Sequence, residues 1–108
     1  LSLHDALPIS SRIIVRAFIR GRVQGVGYRA WTQREAQARG LAGWVRNRRE
    51  GFVEVVLAGP AGAVEAMLVA CGTGPSGARV EAVERCDETE SALVPAGAAE
   101  GFTVLPTV

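Results

Sequence analysis

The chain has 108 residues, enough for one domain with a modest hydrophobic core. Its formal net charge of +1 gives no overall field that would favour DNA, RNA or an acidic membrane surface. No apolar run is long enough to cross a bilayer and no signal peptide is recognisable, so we predict a cytoplasmic location. One histidine and two cysteines provide neither a metal-ligand cluster nor a disulfide framework, and we expect no metal and no cofactor.

The N-terminus and the first strand differ in pattern. Residues 1–10, LSLHDALPIS, fit nothing that follows, so we interpret residues 1–11 as a non-native or disordered tail and place the domain at residues 12–108.

Apolar and polar residues alternate over Arg12–Arg20, which predicts a half-buried strand. Its buried face carries the apolar residues Ile13, Val15, Ala17 and Ile19.

A glycine-rich segment, Gly21–Arg29 (GRVQGVGYR), follows this strand. Glycine adopts positive φ without strain, so successive N–H groups can point into one concavity. Arg29 stands at the apparent start of a helix, where unpaired N–H groups and the positive end of the helix dipole add to its fixed charge. Together these parts predict a socket for a phosphate-like dianion.

The middle of the chain predicts a helix and a hairpin. Tyr28–Arg39 is rich in helix formers, and Gly40 is a natural end for that helix. Leu41–Asn47 and Phe52–Leu57 predict two strands, and the turn between them falls at Arg48–Gly51.

The second half contains the strongest helical pattern. Apolar residues repeat there at i, i+3, i+4 and i+7, namely at Val64, Met67, Leu68 and Cys71. Arg79–Arg85 predicts a fourth strand, and its alternation slips near Ala82 as a β-bulge would cause. We predict an unpatterned loop over Ser91–Gly101 and a last short strand over Phe102–Leu105.

The resulting order, β-α-β-β-α-β, matches the ferredoxin-like split βαβ motif, an α+β fold. We predict an antiparallel sheet with two helices on one face, because each strand carries one apolar face. This fold hosts many functions, so it does not decide the activity by itself.

Asn47 is the second candidate site residue, because it ends the predicted second strand just before a turn. Its carboxamide can donate a hydrogen bond to one oxygen and accept one from a water molecule. If the second strand lies beside the end of the first, a water held by Asn47 can attack a bound phosphorus in line. Phosphoryl transfer depends mainly on such positioning and on charge stabilisation.

Two segments, Gly21–Arg29 (GRVQGVGYR) and Gly43–Asn47 (GWVRN), closely resemble the signature segments of acylphosphatases. The resemblance extends from about Arg12 to Val83 and weakens after Cys86. It implies a small stand-alone acylphosphatase that hydrolyses acyl phosphates to a carboxylate and inorganic phosphate without a metal ion.

The resemblance also implies roles for individual residues. In that family the arginine that closes the loop motif binds the phosphoryl oxygens, and the asparagine that closes the second motif orients the attacking water. These residues are Arg29 and Asn47 here. The substrate-binding cradle would be formed by the backbone amides of Arg22, Val23, Gln24, Gly25, Val26 and Gly27.

The expected partner is a small-molecule acyl phosphate, and we expect a monomer with no nucleic-acid or membrane partner. The physiological acyl group stays open. Small aromatic and dicarboxylic acyl phosphates would serve equally well if the protein held only the phosphoryl end.

Three alternative functions stay open. The first is a carbamoyl-phosphate-processing module of a larger hydrogenase-maturation carbamoyltransferase, although those modules often have proline where Ala30 follows the arginine. The second is an RNA-binding βαββαβ module, which requires aromatic side chains on the central strands; only Phe18 and Phe52 are suitable. The third is an inactive anion sensor.

Several side chains have an ordinary structural interpretation. We interpret Trp31 and Trp44 as packing residues and Cys71 as part of the core. We interpret four arginines as a solvated basic rim, with weak steering of anionic substrates as the alternative. They are Arg22, Arg46, Arg48 and Arg49.

Overall fold

The computed structural model describes residues 11–97 and 101–108, so the predicted tail lies outside the described residues except for Ser11. None of the helices in these ranges is long and apolar enough to cross a membrane. The elements in chain order are β1 (Arg12–Arg22), α1 (Tyr28–Ala38), β2 (Ala42–Asn47), β3 (Val53–Pro60), α2 (Ala61–Cys71), β4 (Arg79–Asp87), a 3₁₀ helix (Glu90–Ala96) and β5 (Phe102–Val104).

The strands form one sheet in the order β4-β1-β3-β2-β5. The first four pair antiparallel, which confirms the predicted ferredoxin-like α+β fold. β5 differs, because it joins the edge of the sheet parallel to β2. The sheet is therefore mixed at one edge, where the chain arrives after passing from β4 across to the opposite side of the sheet.

The main core lies between the sheet and the two α-helices. The inward side chains of β1, Val15, Ala17 and Ile19, are fully buried in it. The apolar face of α2 is buried as its sequence pattern predicts, through Val64, Met67, Leu68 and Cys71. Tyr28, the first residue of α1, is buried in the same core, which holds the start of this helix against the sheet.

The predicted irregularity in β4 is present. The pairing of β1 with β4 shifts register between Arg20, opposite Ala82, and Gly21, opposite Val80. The shift leaves Glu81 without a paired residue in β1, as in a β-bulge. A Cβ on Gly21 would lie 2.2 Å from the carbonyl oxygen of Arg79, so this close approach requires glycine.

A smaller apolar cluster covers part of the outer face of the sheet, and it corrects one prediction. The unpatterned loop predicted over Ser91–Gly101 instead contains most of the 3₁₀ helix, while residues 98–100 lie outside the described part. Ala92 of this helix packs on Trp44, whose indole Nε1–H donates to the Ala92 carbonyl oxygen at 2.8 Å. Contacts distant in sequence thus stabilise a segment that has no periodicity of its own.

β3 is longer than its pattern indicates. The prediction ended this strand at Leu57, because Gly59 and Pro60 usually interrupt strands. Pairing with β1 nevertheless continues to Pro60, which lies opposite Arg12 at the end of the ladder. Residues 53–59 are buried throughout, because β3 is central and both of its faces are covered.

Candidate active site

The site lies at one end of the sheet, where two parallel strands end and a helix begins. β1 and β2 both pair antiparallel with β3, so they run in the same direction. The loop that follows Arg22 and the last residue of β2, Asn47, therefore lie at the same end of the sheet. The first turn of α1 starts there too, because the loop leads directly into Tyr28.

A cavity of about 340 Å³ opens at this end. It brings together six of the eight predicted site residues, namely Val23, Gln24, Gly25, Gly27, Arg29 and Asn47. The lining does not include Arg22, which is the last residue of β1 and lies opposite Arg79. Nor does it include Val26, whose side chain packs against the core.

The loop backbone curls tightly and leaves several N–H groups without acceptors among the described residues. Gly25 and Gly27 have φ values of 76° and 79°, in the left-handed region that favours glycine. Within residues 11–97 and 101–108, no acceptor takes the N–H groups of residues 23–27. The first helical hydrogen bond joins the Trp31 N–H to the Gly27 carbonyl oxygen at 3.0 Å, so residues 28–30 also present unpaired N–H groups. These donors form the kind of concavity that binds phosphate.

Gln24 fixes the loop to the β2–β3 hairpin. Its side-chain Nε2 donates to the carbonyl oxygen of Arg48 at 2.8 Å and to that of Phe52 at 2.9 Å. Both amide hydrogens are therefore used within the protein. Because Arg48 follows Asn47 directly, these bonds also set the position of the loop relative to the Asn47 side chain.

Arg29 supplies the positive charge of the cavity. It is half-buried, and it forms no salt bridge in the part of the chain that the structure describes. The cavity lining contains no carboxylate that could neutralise it. The guanidinium is therefore available to an anionic ligand, and its planar donors match phosphate oxygens.

Asn47 is held firmly but leaves one polar atom unused. Only 8% of the residue is exposed, and its main-chain carbonyl oxygen accepts a hydrogen bond from the Val108 N–H at 3.2 Å. Its side-chain Oδ1 is buried without a hydrogen-bond partner among the described residues. An unsatisfied buried acceptor is costly, so a water molecule is the natural partner for this oxygen.

Tyr28 lines the cavity but is not available as a base. Its hydroxyl donates to the carbonyl oxygen of Cys71 at 2.7 Å, which ties the start of α1 to the end of α2. Burial, together with this contact, raises the pKa of Tyr28 well above its ordinary value, so the phenol stays protonated. Burial likewise raises the pKa of the Cys71 thiol to about 11, as expected for a core cysteine.

The cavity also contains residues that the sequence analysis did not identify. Ala30 and Gln33 of α1 and Val104 of β5 complete its lining. Gln33 lies one helical turn after Arg29, so a helical-face argument could have found it. Val104 gave no such signal, since β5 reaches the site only through pairing with β2.

The predicted solvated rim of arginines is wrong for Arg46 and Arg48. Both donate to Oε1 of Glu54, at 2.9 Å and 2.8 Å, and Arg16 contacts the other carboxylate oxygen. Glu54 is only 2% exposed, so these side chains form a paired cluster on the outer face of the sheet. No group of three or more metal-ligating residues occurs in the described ranges.

Comparison with known proteins shows what the chain is similar to in sequence and fold. A model of the acylphosphatase family matches residues 15–98. An acylphosphatase from Nitrobacter hamburgensis is 52% identical over 96 residues, which cover 89% of this chain and 97% of that protein. One from Azorhizobium caulinodans is 58% identical over 90 residues, covering 83% and 91%. The crystal structure of an acylphosphatase from Bacillus subtilis superposes with a TM-score of 0.76 at 32% identity, covering 86% of this chain and 98% of that one.

Proposed function

This chain belongs to the acylphosphatase family and hydrolyses acyl phosphates to a carboxylate and phosphate, and we propose how its residues do so. The loop at residues 22–27 and Arg29 bind the phosphoryl group, while Asn47 orients the attacking water. No metal ion takes part. One observation carries the proposal: a single cavity combines unpaired loop amides, an arginine without a carboxylate partner in the described ranges, and a buried, unpartnered Asn47 oxygen.

The phosphoryl end of the substrate is bound by charge and by main-chain donors. Its dianion accepts hydrogen bonds from the loop amides and from the first turn of α1, and it pairs with the Arg29 guanidinium. Because no carboxylate lines the cavity, no described side chain there repels the dianion. The same donors stabilise the charge that spreads over the phosphoryl oxygens in the transition state.

Asn47 acts on the water. Its Oδ1 accepts a hydrogen bond from a water molecule, whose oxygen then attacks phosphorus as the bond from phosphorus to the acyl oxygen breaks. The departing carboxylate is a weak base, with a carboxyl pKa of about 4, so it leaves without a proton donor. The water's proton passes to a phosphoryl oxygen. A buried, protonated Tyr28 is consistent with a mechanism that needs no side-chain base.

We further propose that the enzyme acts as a cytoplasmic monomer on small molecules and does not bind RNA. The two aromatic side chains expected to stack bases are already occupied. Phe18 and Phe52 pack edge to face at 5.4 Å, and the Arg20 guanidinium lies 4.5 Å above the Phe52 ring. Tight, salt-sensitive binding of single-stranded RNA in a gel shift would contradict this.

The central experiment compares Arg29→Ala and Asn47→Ala with benzoyl phosphate as substrate and no added metal. Arg29→Ala should remove both turnover and competitive inhibition by inorganic phosphate, because one cation holds both anions. Asn47→Ala should keep phosphate inhibition while kcat falls by about 10²–10³-fold, as for loss of a preorganised transition-state group. Arg34→Ala, at an exposed arginine of the same helix, is the matched control and should change neither. Normal turnover by Asn47→Ala would overturn the water-positioning role.

The metal-free mechanism has its own test. EDTA should leave the rate of benzoyl phosphate hydrolysis unchanged, since the proposed contacts use only protein donors. Loss of activity in EDTA, followed by recovery with Mg²⁺, would show that a metal ion is needed.

A further inference from the structure

The cavity continues beyond the phosphate-binding elements, and we propose that Ala30, Gln33 and Val104 form an acyl-binding end that selects uncharged, apolar acyl groups. This inference rests on the proposed function, because it takes the phosphoryl group to be held at Arg29. It addresses the choice between aromatic and dicarboxylic acyl groups that the sequence leaves open.

The cavity residues contributed by α1 show in which direction the cavity extends from Arg29. Gln33 follows Arg29 by four residues in α1, so the two side chains lie on one face about 6 Å apart along the helix axis. Gln33 Nε2 donates to the carbonyl oxygen of Phe102 at 3.2 Å, which holds α1 against β5. The cavity therefore extends from Arg29 along the helix and away from the glycine loop.

The cavity residues contributed by the sheet extend in the same direction, away from the glycine loop. Val104 of β5 lies opposite Val45 of β2, and Asn47 is two residues further along β2, about 7 Å toward the loop. Val45 and Asn47 share the inner face of the sheet, because side chains two residues apart in a strand point to the same side. Since α1 starts where β2 ends, Gln33 and Val104 are both displaced from the phosphate end in one direction.

The chemistry of this second end is apolar. Val104 is 37% exposed, one of few large hydrophobic side chains in the described residues with that much free surface. Ala30 is small, and the Gln33 side-chain amide donates one of its two hydrogens to the Phe102 carbonyl oxygen. Arg29 is the only cation in the described lining, and the phosphoryl group uses it. A second carboxylate on the substrate would lose water there without gaining a cationic partner, whereas an apolar group would cover Val104.

Size gives a further restriction. At about 340 Å³ the cavity is at the lower end of the range for small-molecule sites, which begins near 300 Å³. The volume thus favours a compact acyl group, and the apolar lining favours an aromatic or branched aliphatic one over a dicarboxylic one.

The test measures kcat/KM for benzoyl, acetyl and succinyl phosphate in the wild type and in Val104 variants. The wild type should prefer benzoyl phosphate and use succinyl phosphate least. Val104→Ala should lower kcat/KM for benzoyl phosphate by about tenfold, the low end of what one methylene contributes in a hydrophobic pocket, with little change for acetyl phosphate. Val104→Arg should raise the preference for succinyl phosphate. Val69→Ala, at an exposed valine on α2, is the control and should change no ratio.

Two results would overturn the acyl-binding end: an unchanged benzoyl-to-acetyl ratio in Val104→Ala, or a wild type that prefers succinyl phosphate. Val104→Thr keeps the side-chain shape but replaces one methyl group with a hydroxyl, so it should lower the same ratio and provides the test if the Ala variant does not fold. Failure of the phosphate site would look different, because Arg29→Ala would then retain inhibition by inorganic phosphate while Val104→Ala still changed the ratio.

Discussion

The cavity and the outer face of the sheet both use arginine, but they treat its charge in opposite ways. In the cavity Arg29 has no carboxylate partner among the described residues. On the outer face Arg16, Arg46 and Arg48 surround one buried carboxylate, Glu54. Arginines that are paired with a carboxylate of the chain support the fold, whereas an unpaired arginine at the N-terminus of a helix is available for an anionic ligand.

The outer cluster is an integral part of the sheet. Glu54 lies on central β3, opposite Phe18 of β1 and Arg46 of β2. Burial alone would raise the pKa of Glu54, but hydrogen bonds from Arg48 and Arg46 lower it below its ordinary value of 4.5, so the group is an anion at neutral pH. The Arg46 guanidinium also lies 4.7 Å above the Trp44 ring. The cluster therefore joins three strands through charge and ring contacts.

The largest effect on stability should come from breaking this cluster. Glu54→Ala leaves three arginines around an empty position, and we expect the free energy of unfolding to fall by about 3 kcal/mol, as when one partner of a buried pair is removed. Activity of the folded variant should change by less than about threefold, because none of the cluster side chains lines the cavity. Denaturant unfolding and benzoyl phosphate turnover measure the two quantities. Glu65→Ala, which removes an exposed partner of Arg85, is the control and should cost much less; an equal cost would contradict the comparison.

Acidification should weaken the same cluster without a mutation. The pKa of Glu54 is lower in the folded protein than in the unfolded chain, so its stabilisation is present above pH 4.5 and is lost as pH falls through the folded pKa. The free energy of unfolding should decrease more steeply below pH 4.5 in the wild type than in Glu54→Gln. Parallel pH profiles for the two proteins would show that Glu54 is not the titrating group.

A smaller effect should come from Gln24, which connects the two regions through the Arg48 carbonyl oxygen. Gln24→Ala removes two hydrogen bonds, each contributing about 1 kcal/mol, so the free energy of unfolding should fall by about 1–2 kcal/mol. The loop should also bind phosphate about fivefold more weakly, which is close to 1 kcal/mol. The inhibition constant of inorganic phosphate measures this loss. Gln37→Ala, at an exposed position of α1, should leave that constant unchanged; equal losses in both variants would contradict a role for Gln24 in positioning the loop.

The smallest effect on activity should come from Trp44→Phe. The change removes the hydrogen bond to Ala92 and leaves a cavity where part of a fully buried ring was, so it should lower the free energy of unfolding by about 2 kcal/mol, with normal turnover. Hydrogen exchange should be faster in the 3₁₀ helix, because its attachment to the sheet is weaker. Trp31→Phe is the control and should leave hydrogen exchange in the 3₁₀ helix unchanged. Unchanged exchange in residues 90–96 would show that Trp44 does not hold this helix.

Much of the architecture could be predicted because its pattern is local. The α2 stripe, the slip in β4 and the glycine loop each depend on residues within a few positions of one another. The two candidate residues, Arg29 and Asn47, could also be selected, because each closes a recognisable segment. The 3₁₀ helix could not be predicted from the sequence, since Ala92 is buried by Trp44, which lies 48 residues away in sequence.

The sequence by itself determined where the chain turns, which faces are apolar, and where a helix begins with unpaired N–H groups beside an arginine. Only the tertiary structure decided which charges are paired. It placed Glu54 among Arg46, Arg48 and Arg16, and it brought Val104 to the cavity that contains Arg29. The physical reason is range: periodicity and backbone preference act over one or two turns, whereas ion pairing and cavity shape depend on strands that meet only when the sheet assembles.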